Sequence, residues 1–270
     1  MVKLGKRRNR PRRVRVQSAF QKCLAWGVHF YTAMGLVAAA GIAIMIVEGT
    51  PAAFHRAFLL MLIATLIDAT DGTLARRVRV KEVLPGFDGR RLDDIVDFLN
   101  YTFLPLLLIW RADIIPADLS WLILVPLLAS AYGFSQVSAK TDDGFFLGFP
   151  SYWNLVAFYL YVLRPEPWLV IGMLIGFALL TFVPFRYLYP TQRGRLNRWT
   201  NMLGAAWTVL FAWILLNPTR HEFGGEHTRA LTVISLSFPM YYLVASWLVS
   251  LRIWRVRRVQ MKNEIMQALP

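Results

Sequence analysis

Leu59-Leu-Met-Leu-Ile-Ala-Thr-Leu-Ile67 runs directly into Asp68-Ala-Thr-Asp71-Gly72-Thr-Leu-Ala75-Arg76. A second boundary of the same kind follows, where Gly89-Arg-Arg-Leu-Asp93-Asp-Ile-Val-Asp97 opens onto an apolar stretch from Phe98 to Trp110. Both apolar stretches read as membrane helices. A carboxylate at mid-bilayer costs about 2.5–3.5 kcal/mol on insertion scales. Four of them gathered at the ends of two such helices imply a use, and a bound divalent metal is the obvious one.

Working outward, the same apolar pattern recurs. The 270 residues are 56% hydrophobic and 14% aromatic, with a mean hydropathy of +0.44. Runs near membrane-spanning length alternate with short basic or Gly/Pro-containing loops. Eight spans are expected, near 26–47, 53–74, 95–110, 119–139, 151–163, 168–188, 201–216 and 230–251. The fold class is therefore all-α, a polytopic membrane helix bundle. A net charge of +14 would suit nucleic acid, but no recognition module accompanies it. Lys and Arg instead fall in alternate loops, including Arg76, Arg77, Arg79, Lys81, Arg90 and Arg91, then Lys140, then Arg186, Arg193, Arg195 and Arg198. Both termini are basic as well. This is the positive-inside pattern, and it places both termini and the four aspartates on the cytoplasmic side.

Cys23 is the one cysteine, which leaves no intramolecular disulfide and no cysteine zinc site. His29, His55, His221 and His227 lack metal-ligand spacing and read as interfacial or loop residues. The basic N-terminus lacks a cleavage signal and is expected to be retained. Val16, Phe20, Cys23, Leu24 and Gly27 repeat at helical spacing, so an interfacial amphipathic helix is expected within 12–25. The organisation is thus a basic N-terminus with that helix over 1–25, a membrane domain over 26–251, and a basic tail over 252–270.

Asp68 and Asp71 are three residues apart, and Asp93 and Asp97 four. Each pair therefore shares a helix face. The second span approaches the cytoplasm and the third leaves it, so the two pairs sit at similar depth on antiparallel neighbours. Facing each other they make a cage of hard oxygens suited to magnesium, manganese or calcium. Four carboxylates can hold two ions roughly 3.5–4 Å apart, the spacing that clamps a phosphoryl group. Gly72, Ala75 and Gly89 keep the surroundings small, and Arg76 places a cation where a phosphate would meet the cage. Asp88 and Asp94 read as ordinary loop-end acids paired with neighbouring arginines.

The pattern D-x2-D-G-x2-A-R, then G-x3-D-x3-D, resembles the signature of the CDP-alcohol phosphatidyltransferases. The long gap between its halves, from Arg77 to Asp88, is similar to that of the bacterial phosphatidylcholine synthase branch. The run Lys81-Glu-Val-Leu-Pro-Gly-Phe-Asp88 is similar to that branch too, and Phe146-Leu-Gly-Phe-Pro150 is similar to a turn of the phosphatidylserine branch. The resemblance implies that Asp68, Asp71 and Asp93 are metal ligands and that Asp97 is a ligand or the general base. It implies that Gly72, Ala75 and Gly89, with Asp71, line the cytidine pocket of CDP-diacylglycerol, and that Arg76 meets the diphosphate. It further implies manganese or magnesium as cofactor, two ions, an inner-membrane location and a homodimer. Arg186 and Arg193 are candidates for the lipid phosphate. The acceptor on this reading is choline, a quaternary ammonium best held by aromatic faces. Tyr187 and Tyr189, at the end of a span, are the first candidates, followed by Tyr101 and Tyr152. Tyr132 and Trp153 share this aromatic character. Asn100, Gln136 and Asn154 read as interhelical hydrogen-bonding positions. Serine, glycerol phosphate or inositol phosphate stay open as acceptors. A non-enzymatic ion-coupled carrier is the alternative of another class, although neither inverted repeats nor mid-membrane helix breaks are evident.

Overall fold

The computed structural model describes residues 18–136, 146–187, 195–217 and 225–268. Helix α1 (Ala19–Glu48) starts at a capping box, in which Ser18 accepts from the Gln21 backbone and the Gln21 side chain answers. It ends at Gly49, whose φ of 68° is the left-handed conformation a chain reversal needs. Thr50 caps and Pro51 opens α2 (Pro51–Val78). The two helices form an antiparallel hairpin, with Gly41 against Leu60 near one end and Thr32 against Asp71 near the other.

A short helix α3 (Val80–Val83) turns the chain under this hairpin. Val80 and Val83 pack there with Ala25 and Val28. Asp88 then caps α4 (Gly89–Asp97), accepting from the backbones of Arg90 and Arg91. It also pairs with the Arg91 side chain at 3.4 Å on the exposed surface, the ordinary role expected for it. The helix does not stop at Asp97. It passes through a π-helical segment, Phe98–Phe103, into α5 (Leu104–Arg111), with αR backbone at both junctions. The third span therefore begins at Gly89, six residues before the expected start, because the polar first turns are helical as well.

A 3-10 segment (Ala117–Ile123) leads into α6 (Leu124–Ser135). Strand β1 (Phe146–Leu147) pairs antiparallel with β2 (Arg186–Tyr187) and brings the ends of distant segments together. Between them lie α7 (Trp153–Leu163) and α8 (Pro167–Phe182). The last helices are α9 (Arg195–Leu216), α10 (Glu226–Ser235) and α11 (Ser237–Ala268). Among the described residues, five helical stretches are long and apolar enough to cross a membrane: Ala19–Glu48, Pro51–Val78, Ala117–Ser135, Asn197–Leu216 and Glu226–Met261. The apolar helices α7 and α8 are shorter. Each expected span overlaps a helical stretch among the described residues, and the protein is an all-α polytopic membrane bundle.

Helix α7 is its axis. Residues from Trp153 to Val162 are almost all buried, and Phe158 meets Phe58 of α2 and Phe211 of α9 edge to face. Large apolar side chains such as Phe30, Val37, Ile44 and Leu128 remain exposed on the outside. That is the surface a bilayer covers and water does not.

Two sequence expectations change. Hydropathy carries the sixth span to residue 188, but α8 ends at Phe182. Val183 is extended, as the residue before a proline prefers, and Pro184 cannot continue the ladder. The interfacial helix expected within 12–25 is described only from residue 18 on, and there it forms the first turns of α1. The helix-forming run Ala19–Ala25 meets no breaker before the span, so the two merge.

Gly35 lets α1 and α4 touch. A Cβ there would collide with Val96 Cγ1, and the Gly35 carbonyl accepts from Asn100 Nδ2 at 3.0 Å. Gly35→Ala is expected to cost about 1–3 kcal/mol through overpacking. The check is a lowered thermal unfolding midpoint in detergent, with Val96→Ala in the same chain restoring part of the loss.

Candidate active site

The α1–α2 hairpin and the start of α4 bring three carboxylates together. Ligand atoms of Asp68, Asp71 and Asp93 lie within 4.8 Å of one another. Asp71 is 6% exposed and the other two are half-buried. Helical spacing explains the arrangement: Asp68 and Asp71 share one face of α2, and Asp93 lies one turn inside the adjacent α4. Three like charges this close repel, and a bound cation relieves that repulsion. The donor set fits a hard divalent ion, because it is all carboxylate oxygen with neither thiolate nor imidazole.

Asp97 stands outside this group of three. It lies one turn beyond Asp93 and acts electrostatically on the Tyr101 hydroxyl.

Neutral hydroxyls reach the α2 carboxylates from other elements. Thr32 on α1 donates to Asp71 Oδ2 at 2.7 Å, and Tyr101 in the π segment donates to Asp68 Oδ2 at 2.9 Å. Sequence reasoning passes over Thr32, one hydroxyl in an apolar run with nothing to mark it. Tyr101 is a choline candidate by sequence, but its hydroxyl is engaged with Asp68.

Around the triad, Gly72 is half-buried, and a Cβ on it would stand 3.4 Å from Arg76 Nη1. The Arg76 guanidinium, which also donates to Thr73 at 2.9 Å, therefore folds back along α2 over Gly72. Ala75 packs against the cluster of Ala25, Val28, Val80 and Val83. Gly89 meets His29: a Cβ would stand 2.5 Å from its Cε1 and 3.0 Å from its Nδ1. His29 is 7% exposed, boxed by Trp26 and Phe87. It is a buried wall residue, not the interfacial histidine expected, because the small Gly89 opens space for an imidazole between α1 and α4.

Arg186 is buried in β2, and its backbone exchanges hydrogen bonds with Ser250 Oγ. Arg193 and Tyr189 lie outside the described residues, as does Lys140. Tyr187 is fully buried and accepts from Trp247 Nε1 at 3.3 Å. It sits in a strand pair and not, as expected, at a helix end. Tyr152, at the start of α7, and Tyr187 both approach Tyr242 of α11, at ring separations of 6.4 and 6.3 Å. Tyr242 is not among the residues expected from sequence. Two residues on from Tyr152, Asn154 faces α2. Asn154 donates to Thr65 Oγ1 at 3.5 Å, and Thr65 lies one turn from Asp68.

An all-carboxylate, cation-competent centre in a polytopic membrane bundle fits the class that the sequence motif resembles, the CDP-alcohol phosphatidyltransferases. No protein-family model matches the chain. Individual relatives do: the phosphatidylcholine synthase of Pseudomonas aeruginosa is 33% identical over 88% of this chain and 94% of its own length. That of Bradyrhizobium diazoefficiens is 36% identical over 80% of this chain and 79% of its own. That of Legionella pneumophila is 42% identical over 62% and 66% respectively. The chain belongs to the phosphatidylcholine synthase family.

Proposed function

We propose that the protein transfers the phosphatidyl group of CDP-diacylglycerol to choline, giving phosphatidylcholine and CMP. The observation that carries the reaction type is the Asp68–Asp71–Asp93 triad, with Asp97 one turn beyond Asp93 on the same helix. Family membership supports choline as acceptor.

A divalent ion, manganese or magnesium, held by Asp68, Asp71 and Asp93 would neutralise the diphosphate and stabilise charge on the departing CMP. Gly72, Ala75 and Gly89 leave room for the nucleotide next to Asp71, and Arg76 meets the diphosphate. Asp97 takes the proton from the choline hydroxyl, since an alcohol is a weak nucleophile at neutral pH. The freed oxygen bonds to the phosphorus carrying the diacylglycerol, and the bond to the CMP oxygen breaks. Arg186 and Arg193 serve the lipid phosphate. The reading also puts the protein in the bacterial inner membrane with the basic face cytoplasmic, which the loop arginines support. Two ions and a homodimer belong to it on the strength of the resemblance.

Choline offers no N–H, so its positive end is best met by ring faces. The group of Tyr152, Tyr187 and Tyr242 is the candidate to supply these. Tyr242→Ala is expected to raise the KM for choline about tenfold with a smaller change in kcat, read from initial rates at saturating CDP-diacylglycerol. An unchanged choline KM would move the acceptor elsewhere.

The acceptor itself is tested by supplying labelled choline, serine, glycerol phosphate and inositol phosphate separately, with CDP-diacylglycerol in detergent micelles. Label enters lipid from choline alone on this reading. Incorporation of another acceptor in its place would keep the site chemistry and discard the choline assignment.

A further inference from the structure

The two α2 carboxylates are each gripped by a hydroxyl from a different part of the bundle. We propose that Thr32 and Tyr101 are positioning residues for the metal centre, which set the planes of Asp71 and Asp68 before any ion arrives. The inference rests on the metal reading above.

A carboxylate can swing about its last side-chain torsion, which is broad and weakly restrained. A donor fixed to one oxygen removes that freedom and leaves the other oxygen to a cation. The Thr32 bond has this form. Its 2.7 Å length is that of a charge-assisted O–H···O⁻ bond. Both partners are more than nine-tenths buried, Thr32 at 7% and Asp71 at 6% exposure, so water does not substitute for it. The hydroxyl has a competing acceptor, the Val28 carbonyl, at the longer distance of 3.4 Å.

Tyr101 acts from the other side. It lies in the π segment Phe98–Phe103. A π turn adds a residue to a helical turn and re-aims the side chains it carries, which is why such turns gather at functional sites. Here the re-aimed phenol donates to Asp68 Oδ2 at 2.9 Å. The segment is anchored by Asn100, 2% exposed, which bonds back to Gly35 and Val96 carbonyls at 3.0 Å each. Thus α1 holds both ends of the device, through Thr32 directly and through Gly35 by way of Asn100. Partners of ligating groups in other metal sites typically change affinity 10–100-fold when removed.

The test is Mn2+ binding followed by electron paramagnetic resonance, on detergent-solubilised protein without substrates. Thr32→Val keeps the shape and removes the hydroxyl. It is expected to weaken Mn2+ binding about 10–100-fold, with Thr32→Ser close to wild type. Tyr101→Phe is expected to weaken it similarly. In turnover assays both raise the metal concentration needed for half-maximal rate more than they lower kcat at saturating metal. Thermal midpoints verify that each variant is folded. Unchanged Mn2+ affinity in folded Thr32→Val and Tyr101→Phe would overturn the proposal, as would loss in Thr32→Val that Thr32→Ser fails to restore. Absence of Mn2+ binding by the wild type would overturn the metal reading itself. Metal binding without turnover on choline would leave the positioning role standing and remove only the acceptor.

Discussion

Asp97→Asn removes turnover and leaves metal binding in place. The asparagine has nearly the same shape but cannot accept the choline proton. A positioned general base contributes about 10²–10⁴-fold, so kcat falls by about that factor. Asp97 stands outside the triad whose ligand atoms lie within 4.8 Å of one another, so Mn2+ affinity changes little. The paired measurement is CMP release at saturating substrates and Mn2+ titration of the same sample. Lost activity with retained metal assigns Asp97 to proton transfer. Loss of both would make it a ligand instead.

Asp93→Asn gives the opposite pattern. Asp93 is the α4 contribution to the triad and would help hold a bound ion there. Replacing it removes one of three charges and leaves a weaker carbonyl ligand. Both metal affinity and CMP release are expected to fall by at least about 10²-fold, the scale on which a single electrostatic stabiliser acts in catalysis. Excess Mn2+ recovers part of the rate, because the deficit is in occupancy. Asp97→Asn shows no such recovery. The contrast between the two variants separates ligand from base without any assumption about the acceptor.

The aspartates are legible in the sequence because their spacing encodes a face and their setting carries a cost. Acids three and four apart at the ends of apolar runs are too expensive to sit there idle. Eight helical stretches are legible from hydropathy alone, although their ends are not. The start at Gly89 is hidden because Arg90, Arg91 and Asp94 read as loop while forming helix. The end of α8 is written in Val183-Pro184 but is overrun by the apolar pattern that continues past it. Asp88 is legible as a local partner, since an acid before Gly-Arg-Arg has its cap and its counter-charge within three residues.

What the sequence hides depends on contacts between distant residues. Thr32 and Asp71 are 39 positions apart, and no periodicity links them. The π segment falls inside an apolar run, where an extra residue per turn leaves no mark on composition. The tyrosine group draws on α7, β2 and α11. Interfacial tyrosines are common on any membrane bundle, so their convergence is visible only once the chain is folded.

The central claim is that this carboxylate centre drives metal-dependent phosphatidyl transfer to choline. The most direct test is CMP release from CDP-diacylglycerol by the purified protein, with choline present and absent, in chelator and after Mn2+ or Mg2+ is restored. CMP is expected in equal amount to phosphatidylcholine, dependent on both choline and metal. Protein that binds Mn2+ yet releases no CMP with any acceptor alcohol would contradict it and favour an ion-coupled carrier.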